Sequence, residues 1–416
     1  MIKKVSLSIF LLFSLVTFAQ QGTSSPYSFY GIGDVRFKGT IETRTMGGLS
    51  FVPDSIHINI QNPALLSSIK LTAFSVGGTF SPVKLKTKTQ SEKAQRTTFD
   101  YLSIALPSKN FTIGLGLIPY SSVGYSIKNS NTTLNQDNRF EGSGGINRVY
   151  TTLSYKINAN FSAGIDLQYN FGTIETKKIT TQTDIQYGTR ELNTSSVSGF
   201  SLNLGLSYKK KINEKLDFFS GLTYAPQANL TLKNERTLTA VQNTSNSEVE
   251  VGEPIPVPVS NTKLKLPSKF SFGSGIGNLK KWFVGAELTF QNNSNFGNRF
   301  DDITNVTYQN ATKISVGGFF VPKYNSFSDY WKRITYRGGL RYENTGLVIN
   351  NQSIKDAAVS LGFGLPIGSN SFSNINIGLE YGKRGTTKAG LIEENYTNIS
   401  IGFSLNDRWF IKRKYD

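Results

Sequence analysis

The sequence predicts an all-β fold, a single transmembrane antiparallel β-barrel of about fourteen strands with an N-terminal plug, or hatch. Apolar and polar side chains alternate almost without interruption from about Leu71 to Leu405. In Asn374–Tyr381, for example, every odd position is apolar and every even position is polar or glycine. A strand with one apolar and one polar face suits a sheet that faces lipid on one side and a lumen on the other.

A secretory signal peptide is predicted at residues 1–19. Lys3 and Lys4 form its basic start, an apolar run follows, and Ala19 ends a small-residue cleavage motif. The run is shorter than the ~20 residues that a spanning helix needs. Cysteine is absent, which excludes a lipid anchor, disulfides and thiolate chemistry. Together with the barrel pattern, the signal predicts the outer membrane of a Gram-negative bacterium.

The chain is strongly basic, with a formal net charge of +17. Basic chains often bind nucleic acid, but these lysines and arginines are scattered through loops and strand ends, and the signal peptide exports the protein. We therefore predict no nucleic-acid partner. Attraction to outer-membrane lipid headgroups and lipopolysaccharide explains the charge better.

The strand candidates are even in number, as single-chain bacterial barrels require. We expect them to begin near Leu71, Thr97, Phe111, Arg148, Phe161, Val197, Leu216, Lys263, Trp282, Thr312, Ile334, Ile354, Ser373 and Asn395. Short turns such as Asn158–Asn160 alternate with long polar stretches such as Ser121–Asn147. Short periplasmic turns and long outer loops give this pattern, and the even strand number predicts that both termini are periplasmic.

Residues 20–70 do not follow the strand pattern. They are rich in glycine and proline but also carry aromatic and branched residues such as Tyr27 and Ile58, which disordered tails usually lack. We predict that residues 20–70 form the plug of a barrel at 71–406, with a plain periplasmic tail as the alternative. Residues 407–416 are predicted to be a basic periplasmic C-terminal tail.

Candidate catalytic residues are few. The single histidine, His57, falls in the predicted plug and has no Gly-x-Ser-x-Gly motif to accompany it. One histidine without cysteine does not make a zinc site. We predict no enzyme, no cofactor and no metal. Four polar residues are predicted to face the lumen, where they either line a water path or hydrogen-bond the plug: Asp166, Lys209, Glu287 and Glu380.

Three short motifs stand out. They are Asn62-Pro63-Ala64 preceded by Thr45–Ser50, the Leu-Pro stretch Leu266–Gly273, and the glycine-rich Gly114–Tyr120. In these motifs the mature chain resembles the FadL/OmpP1/TodX family of outer-membrane transporters for hydrophobic compounds. The resemblance implies a hatch that is positioned by Asn62, Pro63 and Ala64.

The same resemblance implies a lateral gate at a kink in the third strand. Pro119, Tyr120 and Gly124 occupy the corresponding place in this sequence, and proline removes a ladder hydrogen bond. The function implied is passive uptake of hydrophobic small molecules, of the fatty acid or hydrocarbon class, through a hatch-gated lumen with a lateral exit.

A second function remains open from the sequence. Some relatives of this family do not transport lipids and serve as barrel subunits of secretion or assembly machines. The predicted plug and basic tail suit that role as well. The alternative is therefore a non-transporting barrel subunit of an outer-membrane protein secretion or assembly complex, with other subunits of that complex as partners instead of a hydrophobic small molecule.

Overall fold

The computed structural model describes residues 22–35, 37–131, 135–183, 185–243, 248–294, 296–297, 305–326, 328–367 and 372–408. Within them fourteen antiparallel strands form a closed barrel, which confirms the predicted fold class. No helix in this described part is long and apolar enough to cross a membrane. The predicted signal peptide and the tail residues Lys412, Arg413 and Lys414 lie outside the described residues.

Each strand pairs with the next, and the last pairs with the first. The strands are β1 (Thr72–Lys86), β2 (Ser91–Pro107), β3 (Phe111–Ser122 and Tyr125–Asn131), β4 (Gln136–Lys156), β5 (Phe161–Gln182), β6 (Gly188–Asn213), β7 (Leu216–Ala225 and Ala228–Asn243), β8 (Thr262–Leu266 and Lys269–Asn278), β9 (Trp282–Gln291), β10 (Val306–Tyr308 and Ala311–Phe320), β11 (Thr335–Ile349), β12 (Gln352–Pro366), β13 (Asn374–Gly385) and β14 (Glu393–Asp407). The breaks in β7 and β8 lie side by side, and Pro226 and Pro267 occupy them because proline cannot donate to the ladder.

The alternation of side chains along the strands separates lipid from lumen. In β5, Leu167 is 55% exposed and Tyr169 is 40% exposed on the outer face, whereas Asp166 and Asn170 are buried inside. An apolar outer face with polar residues inside is the arrangement of a transmembrane barrel.

Four strands begin well before the predicted positions. β2, β4, β6 and β10 start at Ser91, Gln136, Gly188 and Val306, not near Thr97, Arg148, Val197 and Thr312. The polar stretches that the sequence analysis assigned to long loops continue the pairing as hairpins, for example from Gln136 opposite Gln182. These ribbons carry few apolar residues, and several of those they have, such as Ile174 and Ile179, are buried, so the alternation weakens although the strands continue.

Three short turns, from β4 to β5, from β6 to β7 and from β8 to β9, are each closed by an asparagine. The side-chain oxygen of Asn158 accepts from the backbone N–H of Asn160 at 2.8 Å and of Phe161 at 2.8 Å. Asn213 and Asn278 accept in the same way from the N–H two residues further on, at 2.9 Å and 3.1 Å. Asparagine favours such turns because its side chain mimics a backbone acceptor.

The N-terminal segment lies inside the barrel. It contains the 3₁₀ turns Pro26–Phe29 and Pro63–Ser68, the short strand Asp34–Val35 and one helical turn, Ile41–Arg44. Its apolar residues form a core with the wall, in which Phe51 is completely buried beside aromatic residues of β7 and β9. We call this segment, residues 22–71, the plug.

Glycines line the wall where the plug touches it. Strand β3 and every strand from β5 to β14 contribute one: Gly114, Gly164, Gly205, Gly221, Gly273, Gly285, Gly317, Gly339, Gly362, Gly378 and Gly402. A Cβ on Gly339 would lie 2.1 Å from the backbone nitrogen of Gly47, and one on Gly205 would lie 2.2 Å from Oδ1 of Asn62. We call this set the glycine ring, and it lets the plug approach the wall backbone directly.

The described chain begins and ends at opposite ends of the barrel. Thr23 lies against Gly124 and Arg96, towards the long hairpins. Asp407 pairs with Thr72 at the short turns. Residues 1–21 and 409–416 lie outside the described residues, so the location of both termini in the periplasm stays a prediction.

Replacing Gly339 with alanine should loosen the plug while the barrel still forms. The added methyl would overlap the backbone of Gly47, and such overpacking costs roughly 1–3 kcal/mol. The neighbouring Gly338→Ala is the matched control, because a Cβ there meets its nearest atoms only at 3.9 Å. Protease digestion of the purified barrel should cut the plug faster in Gly339→Ala alone. Equal rates in both variants would refute the role of the glycine ring.

Candidate functional site

The motif Asn62-Pro63-Ala64 fastens the plug to the wall. Asn62 is fully buried, and its Oδ1 accepts from the Ala64 N–H at 3.1 Å, which caps the 3₁₀ turn. Its Nδ2 donates to the carbonyl of Leu206 in β6 at 3.2 Å. The hydroxyl of Ser154 in β4 donates to the carbonyl of Ala64 at 3.0 Å. The three residues thus join the plug to two strands near the short turns.

Two of the polar residues predicted to face the lumen reach the plug. Glu287 is 2% exposed and accepts from both the backbone N–H and the hydroxyl of Ser50, each at 2.7 Å. Asp166 accepts from the Asn203 amide at 3.0 Å, and the same amide donates to the plug carbonyl of Gln61 at 3.0 Å. These carboxylates hydrogen-bond the plug, directly or through one neighbour.

The other two predicted residues lie elsewhere in the barrel. Glu380 accepts from Asn398 at 3.0 Å and lies 3.5 Å from Arg341, on the wall of the central cavity. Lys209 pairs with Asp217 at 3.2 Å at the short-turn end, where 46% of its side chain is exposed. The four residues therefore do not form one site.

Strand β3 bends away from β2 part-way along its length. The pairing of the two strands runs from Pro107 opposite Thr112 to Leu102 opposite Leu117. Beyond that point β3 continues to pair with β4, with an irregularity after Pro119. The bend leaves the edge of β3 open towards β2, and Pro119 needs no partner there.

The plug closes against this bend. Its strand Asp34–Val35 pairs with Ser122 and Ser121, just beyond Pro119. A Cβ on Gly124 would lie 2.0 Å from the carbonyl oxygen of Thr23. Tyr120 is 7% exposed and turns inward. Pro119, Tyr120 and Gly124, the residues assigned to the lateral gate, thus lie at the bend, and the plug contacts it through Asp34–Val35 and Thr23. The role of Pro119, Tyr120 and Gly124 as a gate remains a prediction.

A cavity of about 370 Å³ lies between the plug and the outer half of the barrel, and its lining is charged. Lys38 and Arg148 lie over the Tyr120 ring, at 3.8 Å and 3.9 Å from its centre. Enclosure in the lumen and the charge of Arg148 lower the pKa of Lys38 well below its ordinary value, against the pull of Glu343. Crowded cations of this kind suit an anionic group or water better than a hydrocarbon.

Ion pairs connect the plug to the wall on the outer side of the cavity. Asp34 of the plug lies 2.6 Å from Arg384 of β13 and 3.3 Å from Arg96 of β2. At the glycine ring, Arg44 donates to Thr79 at 2.6 Å and lies 3.2 Å from Asp100. Separating the plug from the wall would leave these charges without partners in a confined space, which is costly.

Comparison with known proteins identifies the family. The BamG family model matches residues 1–416, the whole chain. The chain belongs to the BamG family. No curated protein matches its sequence.

Solved barrels show the same fold as this BamG-family chain. The toluene transporter TbuX of Ralstonia pickettii has a TM-score of 0.60 at 14% identity, covering 89% of this chain and 99% of its own. The toluene transporter TodX of Pseudomonas putida has a TM-score of 0.58 at 16% identity, covering 90% and 98%. A FadL homologue of Pseudomonas aeruginosa has a TM-score of 0.57 at 13% identity, covering 91% and 99%. The predicted resemblance is confirmed at the level of the fold.

His57 belongs to the fastening of the plug in this BamG-family barrel. Its Nδ1 lies 2.7 Å from Oδ2 of Asp54, and its Nε2 lies 3.8 Å from Glu42. Glu42 in turn accepts from Asn376 of β13 at 2.6 Å. Among the described residues, no three acidic, histidine or cysteine side chains are grouped to hold a metal. Barrels of this family and fold are typically not enzymes.

Sequence reasoning missed the glycine ring and the ties of Arg44 and Asp34. The glycines carried a usable signal, because they occupy inward positions at a similar distance from the short turns on successive strands. The ion pairs of Arg44 and Asp34 left no signal in the sequence, since their partners lie more than fifty residues away in the chain.

Because of the contact of Asp54 with His57, retention of the plug should depend on pH. Desolvation acts to raise the pKa of the Asp54 carboxyl, but the charge and hydrogen bond of His57 and the N–H of Ile56 outweigh it, so the pKa lies below its ordinary value. A carboxyl of this kind stabilises the folded state above its unfolded pKa, near ~4, and the stabilisation is lost as pH falls through the lower folded value.

Asp54→Asn should therefore retain its plug less firmly than the wild type at neutral pH, and the difference should shrink as pH falls below about 4. Single-channel conductance in planar bilayers between pH 7 and pH 3 reports plug release as larger or more frequent openings. Identical pH profiles for the two proteins would show that this contact does not hold the plug.

Proposed function

We propose that this chain is a non-transporting barrel subunit of the β-barrel assembly machinery, the BAM complex of the outer membrane. The whole-chain match to the BamG family carries this proposal, since the family name denotes a BAM subunit. The other subunits of that complex are its proposed partners, with outer-membrane lipid and lipopolysaccharide around the barrel.

The fixed plug supports a scaffold role. The plug touches the wall at the glycine ring from β5 round to β14, and buried hydrogen bonds fasten it at Asn62, Ser50 and Arg44. Each bond contributes only about 0.5–1.5 kcal/mol net, but leaving a buried partner unpaired costs about 1–3 kcal/mol. A plug held at many points suits a rigid subunit better than a hatch that opens for each passing molecule.

Passive uptake of hydrophobic small molecules is the second candidate. The bend of β3 at Pro119 favours it, because the wall between β2 and β3 is unpaired beyond Leu117. The names of the solved relatives point the same way, since two are toluene transporters. The charged cavity opposes it, because a hydrocarbon would gain little from contact with Lys38, Arg148 and their neighbours.

The proposed orientation follows the usual rule for bacterial barrels. Short turns face the periplasm and long hairpins face outward. In that orientation the end of β14 and the basic tail at 407–416 are periplasmic, within reach of periplasmic subunits, and the hatch motif Asn62-Pro63-Ala64 lies near the same end.

Gentle extraction of the tagged protein from its own outer membrane tests the proposal. Native mass spectrometry should find other assembly-machinery subunits at fixed stoichiometry, and depletion of the protein should lower the levels of several unrelated outer-membrane barrels. A protein that runs alone with a retained lipid or hydrocarbon would favour uptake instead.

A disulfide across the bend separates the two candidates. Val35 and Ser121 lie directly opposite each other in an antiparallel pair, a spacing that a disulfide can span, and the chain has no other cysteine. In Val35→Cys/Ser121→Cys, an assembly subunit should work equally well oxidised and reduced. A transporter should lose uptake when oxidised and recover it on reduction. The two single-cysteine variants control for the substitutions themselves.

A further inference from the structure

Three neighbouring short turns carry a dense group of lysines. The turns join β4 to β5, β6 to β7 and β8 to β9, and their lysines are Lys156, Lys209, Lys210, Lys211, Lys215, Lys280 and Lys281. Glu214 and Asp217 are the acidic residues of the same turns. We call this group the lysine arc.

The three turns form one continuous surface. The backbone N–H of Lys209 donates to the carbonyl of Asn160 at 2.8 Å, which joins the first turn to the second. Asp217 lies opposite Gly277 in the strand that leads into the third. Because neighbouring strands lie about 4.8 Å apart, the arc extends over roughly 25 Å of the rim.

The lysines of the arc have few acidic partners. Among the described residues, Lys209 forms an ion pair with Asp217 at 3.2 Å, and the other lysines of the arc form none. At the long-hairpin end some cations are paired, for example Lys177 with Glu141 at 2.8 Å and Arg190 with Glu250 at 2.7 Å. The arc is therefore a concentrated positive field beside the membrane, of the kind that attracts an oppositely charged surface.

Positive charge is uneven around the short-turn rim, which favours a protein partner over lipid. Lipid headgroups surround all the turns of a barrel equally. The turn from β12 to β13 carries no charged residue, and the turn from β2 to β3 carries Lys109 alone. The long turn from β10 to β11, next to the arc, carries Lys323, Lys332 and Arg333, of which Lys332 is paired with Asp329 at 2.5 Å. Positive charge that is dense from the β4–β5 turn to the β10–β11 turn and absent from the β12–β13 turn fits a partner that approaches from the charged side.

Apolar residues lie among these lysines. Ile157 follows Lys156 and is 53% exposed, and Ile212 follows Lys211 and is also 53% exposed. Protein interfaces combine apolar anchors that exclude water with a charged rim that guides the encounter. The arc contains both components.

We propose that the lysine arc docks an acidic surface of a protein subunit that lies on the short-turn side of the barrel. This inference rests on the proposed role as a subunit of a complex and names the surface that makes the contact. The acidic partner supplies the carboxylates that the arc lacks, and Ile157 and Ile212 pack against it.

Charge reversal of the arc tests this inference in the full-length protein. The variant replaces Lys210, Lys211, Lys280 and Lys281 with glutamate. A matched control replaces four exposed lysines of the β1–β2 hairpin, Lys84, Lys86, Lys88 and Lys93, with glutamate, which changes the net charge equally. Both variants should insert and run as folded barrels, and glutamine at the arc positions gives a milder version if insertion of the reversed barrel suffers.

The arc variant should recover at least tenfold less partner protein in co-purification, and the wild-type complex should weaken as salt rises. The hairpin control should recover the partner normally. An arc variant that retains its partner, or that loses only binding to vesicles of anionic phospholipid, would overturn the inference. A wild-type protein that recovers no partner would instead refute the proposed function, so the two failures are distinguishable.

Discussion

Direct contact between the backbone of the plug and the backbone of the wall is the constraint on which the structure depends. It requires wall positions without side chains at one level of the lumen, and the glycine ring supplies them from β5 round to β14. It also brings buried polar groups of the plug within reach of the wall, where Asn62, Ser50 and Arg44 find partners. Shape and hydrogen bonding therefore fix the same arrangement.

The two faces of the wall follow opposite rules. Outward residues such as Leu167 are apolar because they meet lipid, and inward residues such as Asp166 are polar because they meet the plug or the cavity. The cavity beyond the plug collects charge, with Lys38 and Arg148 over Tyr120. The wall has the fold of the FadL-like barrels, but the cavity that it encloses is charged and not apolar. The proposed function therefore rests on family membership and not on the fold.

The sequence predicted the fold well where the environment changes from one residue to the next. Alternation identified β5 and β13, because lipid and lumen impose it. It failed for the outer parts of β2, β4 and β6, where the hairpins extend beyond the apolar band of the barrel and most residues are polar. For the site, the resemblance located Asn62-Pro63-Ala64. Distant contacts such as Arg384 with Asp34 depend on closure of the barrel and leave no local signal.

The path of the plug has a consequence for how the molecule is made. The plug enters near Thr23 at the long hairpins, descends the whole lumen and leads into β1 at Thr72, so it occupies the interior before the first strand begins. A barrel already sealed between β1 and β14 would have to admit this chain past a lumen lined by bonded side chains. Wrapping the sheet around a plug already in place avoids that barrier, so pairing of β1 with β14 after the plug is in position is the less costly order.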